Sequence, residues 1–95
     1  MLDFEWNEEK AEKNKKKHAI SFEEAKSVFD DVFAYIFDDE LHSFEEDRFY
    51  IIGYSQSNKL ITISYTERNN KIRLISARLS NKHERKNYEE KRKIY

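Results

Sequence analysis

All six arginines of this 95-residue chain, Arg48, Arg68, Arg73, Arg78, Arg85 and Arg92, fall in its second half. Arginine is permanently charged, and its planar fork matches two oxygens of a phosphate, so an anion site is expected among these residues. Arg48 lies on the same pleat face as Tyr50 and Tyr54 of a β-rich run, and a cation interleaved with phenol rings can hold and stack a nucleic-acid base. Cross-strand packing would explain the same tyrosines. Arg73 and Arg78 stand at opposite parity on another run, so a regular strand sends them to opposite faces and leaves one structural. The exception would be an Arg78 lying past the strand end.

Groups able to move a proton are few. His18 follows Lys17 at the end of a helical segment, where the helix dipole favours a cation. A lone histidine there more often serves packing. Glu67 and Glu84 are the candidate carboxylates, although Glu84 is already explained as a helix cap. His42 sits among Asp38, Asp39, Glu40, Glu45, Glu46 and Asp47. That loop lacks the alternating acids, glycine and terminal glutamate of a calcium site, and no second histidine stands at ligand spacing, so neither metal nor cofactor is expected.

The charge is divided along the chain. Residues 1–47 hold six Lys against fifteen Asp and Glu, a balance of −9, and residues 48–95 hold twelve Lys and Arg against four Glu, a balance of +8. Two oppositely charged surfaces would attract each other within any solvated fold, which is the plainer reading of this division. The absence of cysteine excludes disulfides and thiolate chemistry. The length suits one domain over residues 1–95, with an aromatic-rich core. No apolar run reaches membrane-spanning length and the first residues do not read as a signal peptide, so a cytoplasmic protein without membrane contact is expected.

Positioning these residues requires helices beside a sheet. Asn7 caps a first helix over about residues 8–17, and Ser21 with Glu24 forms a capping box opening a second that Asp30-Asp31 stops. Phe33–Phe37, Arg48–Tyr54, Leu60–Thr66 and Lys71–Ala77 are β-rich, with turns at Ser55–Asn58 and Asn69-Asn70. The lone Gly53, inside a strand pattern, marks a bulge or a close packing contact. Asn81 and Glu84 cap a last helix carrying Arg85, Tyr88 and Arg92. The expected order is ααββββα, an α+β fold with a four-stranded antiparallel sheet.

Four segments resemble the BrnT family in order and spacing. They are Phe4-Glu5-Trp6-Asn7 with Lys10 and Asn14; Lys17-His18-Ala19-Ile20-Ser21-Phe22-Glu23-Glu24-Ala25; Tyr65-Thr66-Glu67-Arg68; and Ile72 to Arg78 followed by Glu84-Arg85 and Tyr88. Asn7 stands where the family has Asp, and Ala19 where it has Gly, a residue better suited to a left-handed helix exit. The resemblance implies a RelE-like fold and metal-independent RNA cleavage that halts translation. It also implies neutralisation by a BrnA-like antitoxin, a DNA-binding protein expected to form an autorepressing complex. Cleavage of this kind needs a base for the ribose 2′-hydroxyl, an acid for the leaving oxygen and cations around the phosphorane. Arg68 and Arg78, within the Tyr-Thr-Glu-Arg and Ser-Ala-Arg motifs, are the first candidates for the cations, with Glu67 and His18 for the proton. Arg48, Tyr50, Lys17, Arg73 and Arg85 are candidates to bind RNA. A non-catalytic nucleic-acid-binding module and a purely protein-binding partner are the competing functions.

Overall fold

The computed structural model describes residues 2–44 and 46–93; Glu45 lies outside them. Its elements are β1 (Asp3–Glu5), α1 (Glu8–His18), α2 (Phe22–Ala25), β2 (Tyr35–Asp38), β3 (Arg48–Tyr54), β4 (Leu60–Arg68), β5 (Lys71–Leu79) and α3 (Lys82–Arg92). The fold is α+β, but the sheet has five strands in the order β1-β5-β4-β3-β2, with β1 parallel to β5 and the other pairs antiparallel. This corrects the four-stranded antiparallel expectation. Asp3-Phe4-Glu5 is too short to show alternation, and it becomes a strand by pairing with Lys71, Ile72 and Arg73.

One face of the sheet is closed by the N-terminal helices. Ile51, Ile61, Ile63, Tyr65, Leu74 and Ala77 pack there against Ile20, Phe22, Ala25 and Val28, with Trp6 edge-on to Phe22. Gly53 is the point of closest approach: a Cβ there would lie 2.9 Å from Val28 Cγ1 and 3.2 Å from Ala34 Cβ. The chain is thus drawn tight against β3 because that position has no side chain. On the other face, α3 covers one end only, where Tyr88 packs on Ile52 and Leu60.

The caps follow local chemistry with two departures. Asn7 accepts from Lys10 N–H and Ser21 from Glu24 N–H. The expected return half at Ser21 is replaced, since the Glu24 carboxylate instead accepts from the Ser55 hydroxyl at 2.9 Å. Beyond α2 the chain tightens into a 3-10 turn over Lys26–Asp30. Ala19 adopts φ 59°, so alanine takes the left-handed exit of α1 that glycine would take without a steric cost. Asn69 and Asn70 both have positive φ, as a tight hairpin of this kind requires.

The parity expectation for Arg73 and Arg78 is overturned. Thr66 pairs with Arg73 and Tyr65 with Leu74, but Ser64 pairs with Ser76, leaving Ile75 as an extra residue. This β-bulge flips the alternation, so that Arg73, Ser76 and Arg78 share one face while Ile72, Leu74 and Ala77 face the helices. Past the end of β1, the outer edge of β5 is held by a side chain. Asn14 accepts from Ala77 N–H at 3.0 Å and donates to the Ala77 and Ile20 carbonyls at 2.8 and 3.1 Å. Asn14→Ala strands these buried backbone groups, and the expected loss is about 3 kcal/mol, read as a lower urea midpoint at unchanged m-value.

Candidate functional site

The bulge places a row of polar side chains on the half of the sheet that α3 leaves uncovered. Cross-strand pairing brings Arg48, Thr66 and Arg73 into one rung, Tyr50, Ser64 and Ser76 into the next, and Thr62 and Arg78 into the third. Arg73 and Arg78 therefore stand on the same face, with backbones roughly 13 Å apart along β5. Phe37 of β2 stacks on Tyr50 with ring centroids 5.2 Å apart. Thr66 lies between two arginines, and its hydroxyl is the one buried side-chain nitrogen or oxygen among the described residues without a hydrogen-bond partner.

Three of the arginines are held by carboxylates. Arg78 makes a two-pronged bond to Glu84, at 2.7 and 2.8 Å, and Glu84 also accepts from Asn81 N–H at 2.9 Å. The carboxylate that caps α3 is thus the one that orients Arg78. Arg73 bonds Glu5 at 2.9 Å, and Arg68 bonds Glu46 at 2.6 Å on the exposed rim. Glu5 and Glu46 come from the acidic half, so the plainer reading of the divided charge is realised in part: the acids neutralise and aim the arginines. An Arg fork has five donors, so these pairs leave N–H groups for a phosphate.

The remaining candidates are dispersed. Glu67 alternates with Arg68 and falls on the helix-covered face, beside Tyr65, whose phenol is pushed up to about 12 by burial and by the Glu67 charge. The sheet therefore separates Glu67 from Arg78. Lys17 and His18 end α1, in the helical layer, and no hydrogen bond or ion pair ties either to the open face among the described residues. Arg85 projects from α3 at the far end, with Nη1 3.5 Å from the Tyr54 hydroxyl. Among the described residues no group of three His, Asp or Glu could hold a metal ion. No helix among them is long and apolar enough to cross a membrane.

One residue near the open face escaped the sequence reading. Asp39 is 5% exposed. The Tyr50 phenol is raised by burial first and then by the Asp39 carboxylate, so the two groups are neighbours. The visible signal was His42 three residues on, whose surroundings in the sequence argue against a metal and suggest no other role. A surface depression lined by Leu2, Phe4, Glu23, Lys26, Asp30 and Gln56 opens elsewhere and gathers no arginine.

Burial pushes the Glu84 carboxyl up, but the bonds from Arg78 and Asn81 outweigh it and leave it below its usual value of 4.5. A carboxyl depressed in the folded state stabilises above its unfolded pKa, and that contribution disappears as pH falls through the folded value. Glu84→Gln should therefore cost most at neutral pH. Its unfolding free energy should approach that of the wild type as urea melts are taken below about pH 4.

The geometry is thus one of arginines, a tyrosine and hydroxyls on an open sheet face. The family model for BrnT, described as the ribonuclease toxin of a type II toxin–antitoxin system, matches residues 6–84. No curated protein matches the chain. The 1.1 Å crystal structure of the ribonuclease toxin BrnT from Brucella abortus is similar to this fold, with a TM-score of 0.65 and 20% identity, over 86% of this chain and all of that one. At that identity the likeness concerns the fold, whereas the family model spans both the N-terminal helices and the arginine-bearing strands. Such a match places this chain in the BrnT family of ribonuclease toxins from type II toxin–antitoxin systems, which implies an antitoxin partner.

Proposed function

We propose that the chain is a single-domain, metal-independent endoribonuclease whose cleavage face is the open half of the sheet. The observation that carries this reading is the bulge at Ile75, which turns Arg73 and Arg78 toward the same side as Arg48 and Tyr50. Three guanidinium groups on one face can hold successive phosphates of a single strand, while Tyr50, backed by Phe37, offers a ring for a base. Arg78 is the stabiliser of the phosphorane, because the Glu84 pair fixes its orientation before substrate arrives. Arg68 and Arg85 guide RNA from the rim, while Lys17, His18 and Glu67 contribute from outside the face.

The chemistry is attack of a ribose 2′-hydroxyl on the adjacent phosphorus with expulsion of the 5′-oxygen, leaving a 2′,3′-cyclic phosphate and a 5′-hydroxyl. Cutting messenger RNA in this way halts translation. In keeping with the RelE-like kinship implied by the motifs, a BrnA-like, DNA-binding antitoxin would neutralise the protein in the cytoplasm by covering the arginine face.

Purified protein should cut RNA in excess EDTA, and Arg78→Ala should slow cutting about 100-fold or more while circular dichroism still reports a folded chain. Arg78→Lys, which keeps the charge but loses the fork, should also be impaired. RNA that binds with a steep salt dependence but stays whole would instead establish a binding module.

A further inference from the structure

The connection between β2 and β3 holds a histidine–aspartate pair that the arginine face does not account for. His42 closes a 3-10 turn over Glu40–His42, and its Nδ1 lies 2.9 and 3.0 Å from the two carboxylate oxygens of Asp39. The Asp39 side chain is 5% exposed and that of His42 56% exposed, so the aspartate is an anchor and the imidazole is presented to solvent. The turn is clamped to the start of β3. Asp39 N–H donates to the Arg48 carbonyl at 2.8 Å, the Ser43 hydroxyl donates to the Asp39 carbonyl at 2.6 Å, and Arg48 N–H donates to Ser43 Oγ at 3.0 Å. These bonds hold the turn against the start of β3, and the Asp39 carboxylate that binds His42 is also a neighbour of the Tyr50 phenol on the open face.

The other residues able to move a proton are less well placed. Glu67 lies on the opposite face of the sheet, His18 ends a helix in the other layer, and Glu84 is consumed by the Asn81 cap and Arg78. A carboxylate against Nδ1 fixes the tautomer that carries its proton there, which leaves Nε2 as a lone-pair acceptor. Nε2 of His42 has no partner among the described residues. A buried carboxylate aiming an exposed imidazole is how proteins orient a histidine that must accept a proton from a hydroxyl.

We propose that His42, oriented by Asp39, is the general base of the open face and acts on the 2′-hydroxyl of an RNA strand whose phosphates the arginines hold. The role rests on the ribonuclease reading. Nε2 takes the 2′-hydroxyl proton as O2′ bonds to phosphorus. The bond from phosphorus to O5′ then breaks, the departing O5′ takes a proton from solvent, and the imidazolium beside Asp39 returns its proton to water.

The test compares the wild type with His42→Ala on a labelled RNA oligonucleotide in EDTA, and measures the affinity of each for the same oligonucleotide with 2′-deoxy sugars. The expected result is cleavage slowed about 100-fold or more, affinity for the uncleavable strand within about twofold of the wild type, and partial recovery on adding free imidazole. Wild-type rates from His42→Ala would overturn the assignment and leave the ribonuclease reading standing. A variant that binds the deoxy strand poorly and is not rescued by imidazole would make His42 a binding residue and also overturn it. A wild type that cuts no RNA would remove both.

Discussion

One unpaired residue, Ile75, decides which side of the sheet the arginines occupy. In a regular β5, Arg78 would lie on the opposite face from Arg73, under the helices, and burying an unpaired guanidinium among Ile61, Ile63 and Leu74 would cost several kcal/mol. The bulge resolves the conflict between a strand apolar at Ile72 and Leu74 and one apolar at Ala77. The extra residue in the strand also sets Ala77 with both backbone groups toward the outer edge, where the Asn14 amide meets them. The same local irregularity therefore supplies the seat of α1 and the common face of the arginines.

Because that face is only half covered, its charge must be managed. Glu84 does this from α3, Glu5 from β1 and Glu46 from the connection before β3. Arg78 and Glu84 are more than an ordinary surface pair, since one carboxylate satisfies a helix N-terminus and both prongs of a guanidinium. The donors are thereby oriented before a phosphate arrives, and the entropy of ordering a long side chain is lost on folding rather than on binding.

Much of this was legible from residue types. Capping residues announced the starts of the helices, because Asn7, Ser21 and Asn81 each accept the backbone bond their position calls for. Gly53 marked a close approach, and Asn69-Asn70 a turn with positive φ. Other features were invisible for physical reasons. A bulge built from Ile75 uses no glycine and leaves no compositional trace. β1 is a strand through its partner rather than its own pattern, and the Asp39–Tyr50 proximity depends on how a loop folds back on β3. The family motifs were readable in sequence, whereas which of their residues share a face was not, as the separation of Glu67 from Arg78 shows.

On the proposed reading RNA lies on the open half of the sheet. An NMR titration with a 2′-deoxy-substituted oligonucleotide tests it most directly, because the strand binds without being cut. The expected shifts concentrate at Arg48, Tyr50, Thr62, Ser64, Thr66, Arg73, Ser76 and Arg78, with His42 at their border. Shifts confined to α1, α2 and the Tyr65 side of the sheet, with these residues unmoved, would contradict it.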